Sequence, residues 1–146
     1  MIIISHRSNL DGPNSATNGE NHPDSIEAAL KEGFNVEIDI WNVSGRWYLG
    51  HNNPQYEVSY QFLDRKDFLI HCKDLNTLSE AMSILYLPDI IFHQNDDGAL
   101  TAGGRIFTAP GKHITPLSIA VLPEQVDSWD ISMAAGVCTD FPRRFK

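Results

Sequence analysis

The chain has 146 residues, 42% of them hydrophobic and 21% charged, which fits one soluble globular domain over residues 1–146. Its 11 Lys and Arg against 19 Asp and Glu leave a formal charge of −8, and no basic cluster precedes Arg143-Arg144-Phe145-Lys146. That balance excludes the electrostatic footprint of a protein that binds nucleic acid or an anionic membrane surface. A full eight-unit barrel of strands and helices takes about 250 residues, so this length holds only about 4.7 ordinary units.

Ile2 to Ser5 is a short apolar run of the kind expected for a parallel strand buried on both faces, and it ends in His6-Arg7. Ile2-Ile3-Ile4 is far too short for a signal sequence or a spanning helix, so the expectation is a cytoplasmic chain without stable membrane anchoring. A polar loop, Ser8 to His22, leads to a helix predicted over Pro23 to Glu32. Pro23 suits its first position, Ile26, Ala29 and Leu30 repeat at helical spacing, and Gly33 closes it.

Phe34 to Trp41 alternates as a strand, with Val36, Ile38 and Ile40 facing one way and Glu37 and Asp39 the other. After the Val43-Ser44-Gly45 turn, Arg46 to Gly50 reads as a return strand that delivers His51. Phe68 to Cys72 is the next strand, followed by a helix capped by Asp74 or Asn76 and ending before Pro88. Asp89 to Phe92 is a strand ending at His93-Gln94. Beyond it, Arg105 to Thr108, Leu117 to Leu122 and Val137 to Thr139 read as short strands with little helical signal between them. The expected architecture is therefore α/β: a compact, abbreviated or irregular (β/α) TIM-type barrel with few helices in its second half. Asp96-Asp97-Gly98 reads as a turn, and Cys72 and Cys138 as buried reduced thiols.

The chemistry is positional. His6, Glu37/Asp39, His71/Lys73 and His93 all fall at or near the C-terminal ends of successive predicted parallel strands, the rim on which barrel active sites are built. Two inward carboxylates at i and i+2 need protons or a cation, and a divalent ion with oxygen ligands is one solution. The alternative for Glu37 and Asp39 is an edge strand with one solvated face. His6 and His51 could divide general-base and general-acid work, while Arg7 and Lys73 suit phosphate oxygens.

On these residues the chain resembles the glycerophosphodiester phosphodiesterase family, within the phospholipase C-like phosphodiesterases. Ile4-Ser5-His6-Arg7-Ser8 is similar to the family's opening His-Arg-Gly strand end, and Glu20-Asn21 to its Glu-Asn-Thr segment. Glu37-Ile38-Asp39 resembles the Glu-x-Asp strand, Gly50-His51-Asn52 the His-Asp, and Thr139-Asp140-Phe141-Pro142 the terminal Thr-Asp-x-Pro.

The resemblance implies a metal-dependent phosphodiester hydrolase acting on a small molecule. Glu20, Glu37 and Asp39 would hold Mg²⁺ or Ca²⁺, His6 and His51 would be the catalytic acid/base pair, and Arg7 and Lys73 would contact phosphate. His71 and His93 are further site candidates. Three residues depart from the family pattern: Ser8 for a glycine, Asn52 for an aspartate, and His71 for a glutamate. The alternative function is a non-catalytic module that binds a phosphorylated or sugar-like ligand on the same scaffold. Self-association into a homo-oligomer would be compatible with either function.

Overall fold

The nine-residue apolar alternation from Asn35 to Val43 organises the molecule. In the computed structural model, which describes residues 1–86 and 88–146, it forms an interior strand of a curled sheet, paired on both edges. In chain order the elements are β1 (Ile2–His6), α1 (Pro23–Lys31), β2 (Asn35–Val43), β3 (Arg46–Leu49), β4 (Tyr56–Val58), α2 (Tyr60–Leu63) and β5 (Phe68–Cys72). They continue with α3 (Leu75–Ile84), β6 (Asp89–Ile91), β7 (Gly98–Leu100), β8 (Ile106–Thr108), β9 (Ser118–Val121) and β10 (Gly136–Thr139). Single 3₁₀ turns follow β9 and β10, at Pro123–Gln125 and Pro142–Phe145.

Parallel pairing runs β6-β5-β2-β1-β10-β9-β8, so the C-terminal ends of these strands share one rim. The β3–β4 hairpin extends the upper end of β2, and β7 caps β8 antiparallel. The curl brings the ends of this order together. Asp89 of β6 accepts hydrogen bonds from Thr101 and Arg105, and the Ala102 amide donates to the Ile90 carbonyl at 3.0 Å. The shown architecture is thus mixed α/β with a curled, mainly parallel sheet and few helices. It does not by itself establish the expected TIM-type barrel.

Caps agree with local chemistry. The His22 side chain accepts from the Asp24 amide before Pro23, and Asp74, one of the two anticipated caps, accepts from the Thr77 amide at 2.7 Å. The expected strands are found within a residue or two of their anticipated bounds. Three short elements carry no periodic signal in the sequence: β4, α2 and β7. Gly98, expected in a turn, instead begins β7, because its backbone pairs with Thr108.

The two faces of the sheet are filled differently. Ile26 and Ala29 of α1 and Ala81 of α3 pack on Val36, Ile38, Ile40, Ile70 and Cys72. Burying each large aliphatic chain there stabilises the fold by about 1.5–3 kcal/mol. The concave face carries a second cluster, in which Ile4, Leu69, Ile91, Phe107, Ile119, Val121 and Cys138 meet from six strands. Behind β9 and β10 no α-helix packs among the described residues; Ile114, Trp129, Ile131, Ala134 and Phe145 cover Ala120 and Val137 instead.

Candidate functional site

Strand register decides what reaches the rim. Glu37 pairs with His6 across β1–β2, Asp39 with His71 across β2–β5, and Thr139 with Ser5 across β1–β10, which sets Asp140 beside His6. Because β2 is flanked on both edges, its carboxylates are not a solvated edge: Glu37 is 2% exposed and Asp39 0%. This removes the edge-strand alternative. Donor atoms of Glu37, Asp39 and His71 all lie within 4.8 Å of one another, an arrangement able to hold a metal ion.

Asp39 is fixed in orientation by Asn21. The Asn21 amide donates to Asp39 Oδ2 at 2.9 Å, and its carbonyl accepts from the Asp39 backbone amide at 2.9 Å. The other oxygen, Oδ1, is buried without a hydrogen-bond partner among the described residues. Its nearest groups are His71 Nδ1 at 3.1 Å and the Lys73 ammonium at 3.5 Å. An ionised oxygen that accepts no geometrically formed hydrogen bond keeps lone pairs free for a further cation, so the donor set fits a metal ion.

Electrostatics separates the two acids. Burial opposes ionisation of Asp39, yet His71, Lys73 and Arg7 outweigh it and hold its carboxyl below the usual range. Burial first, and then the charge of Asp39, push Glu37 upward.

His6 Nδ1 donates to Asp140 Oδ1 at 2.8 Å, while Nε2 lies 4.0 Å from Glu37 Oε2. Burial works against its charged form, but the Asp140 hydrogen bond and the Glu37 charge raise its pKa overall. Asp140 is in turn braced by Asn9, which donates at 2.8 Å, and by Glu124, which accepts from the Asp140 amide at 2.9 Å. Arg7 reaches Asp39 Oδ2 through Nε at 3.3 Å and Glu20 Oε2 through an outer guanidinium nitrogen at 3.5 Å.

Glu20 therefore stands apart from the carboxylate pair. Its Oε1 accepts from the Asn9 side chain at 2.7 Å and from the Asn14 amide at 3.1 Å, and Arg7 lies between it and Asp39. Of the expected trio, Glu37 and Asp39 are brought together with His71 in a group that could hold a metal ion, while the loop holding Glu20 is organised around Asn9. His93 stacks on His71 with centroids 4.3 Å apart and planes at 10°, and it leans on Phe107. Its own Nδ1 is directed to the Gln94 carbonyl, outside the group.

His51 follows Gly50, whose φ of +150° permits a sharp exit from β3; a Cβ there would sit 2.1 Å from the Asn53 carbonyl oxygen. The His51 ring meets Asn52 Oδ1 at 2.9 Å. Burial and the Arg7 and Lys73 charges lower its pKa. A cleft of about 580 Å³ opens over the rim, lined by His6, Arg7, Glu20, Asn21, His51 and Asp140 among others. Both expected catalytic histidines thus face one space.

Residue-type reasoning missed Asn9, Asn21 and the role of Asp140. Asp140 had a signal, since it follows an apolar strand as His6 does. Asn9 and Asn21 lie in an irregular loop, with no periodicity to mark them.

No helix among the described residues is long and apolar enough to cross a membrane. No family model matches the chain, and neither a curated protein nor a solved structure matches it.

Proposed function

We propose that the chain is a divalent-metal-dependent phosphodiester hydrolase on a reduced (β/α) barrel. The observation that carries this reading is the buried Glu37–Asp39–His71 group, whose donor atoms lie within 4.8 Å of one another, beside the His6–Asp140 pair. Glu37, Asp39 and His71 would hold a divalent ion, which would supply Lewis-acid polarisation of a phosphoryl oxygen and lower the pKa of an attacking hydroxyl or water. Asp140 orients His6 so that Nε2 faces the reacting groups, and His6 and His51 divide the proton transfers across the cleft. Arg7 and Lys73 place positive charge where equatorial phosphoryl oxygens carry negative charge in the transition state. The parallel strands and the contacts of Asp89 and Ile90 with residues 101–105 support the barrel reading.

The test is hydrolysis of bis(p-nitrophenyl) phosphate with divalent ions added singly. Activity is expected to vanish with chelator and in His6→Ala and Glu37→Gln; turnover that survives both substitutions overturns the mechanism. One observation favours a binding module instead: Arg7 and Lys73 already compensate Asp39 without an ion. Saturable binding of a phosphorylated ligand, with no turnover across a diester panel, would support that second reading.

A further inference from the structure

Resting on the reading of Glu37, Asp39 and His71 as one centre, we infer that the centre selects a borderline transition ion of the Zn²⁺ kind over Mg²⁺ or Ca²⁺. His71 is the residue that decides this. The donor set is two carboxylate oxygens and one imidazole nitrogen. Mg²⁺ and Ca²⁺ are hard ions that take shells of six or more oxygens, whereas imidazole suits Zn²⁺, Co²⁺ and their neighbours. Three protein donors with a position left for water or substrate match hydrolytic zinc sites in number, with one imidazole here where those sites carry at least two nitrogen or sulfur donors.

The geometry points the nitrogen correctly. His71 Nδ1 is the atom facing the acids, 3.1 Å from Asp39 Oδ1 and 3.9 Å from Glu37 Oε1. The parallel stack of His93 against the ring restrains its rotation. On Asp39, Asn21 occupies Oδ2 and the backbone amide, so Oδ1 is left as a single donor rather than half of a bidentate clamp.

Charge argues the same way. Arg7 and Lys73 stand at 3.3 Å and 3.5 Å from the Asp39 oxygens, and their field works against any ion held by charge alone. That repulsion is the same for every divalent ion at this position, so the ion with the stronger bond to the imidazole nitrogen keeps the larger share of its affinity. A strongly hydrated ion that needs several anionic oxygens keeps the smaller share.

The experiment uses the full chain, stripped with chelator and titrated calorimetrically with Zn²⁺, Co²⁺, Mg²⁺ and Ca²⁺ in the absence of substrate. Zn²⁺ is expected to bind at least about 100-fold more tightly than Mg²⁺ or Ca²⁺, and Co²⁺ to give visible absorption from a nitrogen-containing site of low coordination number. His71→Glu, an all-oxygen set, should narrow the Zn²⁺/Mg²⁺ gap at least about tenfold. If that variant does not fold by circular dichroism, His71→Gln should lose Zn²⁺ affinity by a similar factor. Asp39→Asn should abolish the tight site.

Mg²⁺ or Ca²⁺ binding as tight as Zn²⁺, or an unchanged ranking in the His71 variants, overturns the inference. So does Zn²⁺ binding that persists in Asp39→Asn, since it would then sit on other histidines. Tight Zn²⁺ binding without diester hydrolysis would sink the proposed reaction and leave the metal assignment standing. Hydrolysis with no preference for Zn²⁺ would do the reverse.

Discussion

The segment from β1 to α3 and the segment from β7 to β10 build opposite sides of one curled sheet by different means. In the first, α1 and α3 lie on β2 and β5 and bury their outer faces completely, with Val36, Ile38, Ile40 and Ile70 at 0% exposure. In the second, Trp129, Ile131 and Phe145 cover the outer face as loop and turn residues. Most of the site belongs to the first segment: His6, Arg7, Glu37, Asp39, His51, His71 and Lys73. From the second it takes Asp140 as the brace of His6, and Phe107 as the wall behind His93. The candidate site residues are thus concentrated where the backbone is held by packed helices, which suits groups that must keep fixed distances. The loop-covered side supplies support.

The largest effect should come from the helix-backed rim itself. If His6 transfers protons as proposed, His6→Ala lowers diester turnover by about 10²–10⁴-fold in a chain that still folds, at a cost in melting temperature because buried Asp140 loses its partner at 2.8 Å. Loss of folding instead of turnover, seen by circular dichroism, would recast His6 as structural. Ile38→Ala should cost about 2–5 kcal/mol in denaturant unfolding, because the cavity opens between β2 and its helices. Trp129→Ala, on the loop-covered side, should cost less than Ile38→Ala, since its partly exposed surroundings can collapse. Equal costs would break the contrast between the two sides.

Asn21→Ala should weaken metal binding by about 10–100-fold, measured by calorimetry, because Asp39 would lose the contacts that orient Oδ1. Asp74→Ala should destabilise by about 0.5–2 kcal/mol through loss of the α3 cap.

The smallest difference is between the thiols. Burial pushes Cys72 up to about 12, and Cys138 is likewise raised by burial and by neighbouring acids, so neither should react with a disulfide reagent in the native state. In mild denaturant Cys138 is expected to be labelled before Cys72, reporting earlier opening of the loop-covered side. The reverse order would reverse the ranking of the two sides.

Much of the framework was legible because it follows from local rules. The β2 alternation, the Pro23 and Asp74 helix starts and the Gly33 stop each state their structure within a few residues. The β4 and β7 strands and the α2 turn were not, because three or four residues carry no period and exist only through their partners. The same boundary runs through the site. That Glu37 and Asp39 share a face is a property of any strand, and their wish for a cation follows from like charge.

That His71 meets Glu37 and Asp39 while Glu20 faces Asn9 depended on which strand lies beside β2, and on a loop that Asn9 ties to Glu20 and Asp140. His6 and Asp140 are 134 residues apart and meet at 2.8 Å only because β10 pairs with β1 in a single register. The sequence by itself determined the length that forbids eight ordinary units, the acidic surface, and the residues able to do chemistry at strand ends. Only the tertiary structure decided which of them meet, because strand order and register are set by packing across the whole sheet and are written in no local stretch of chain.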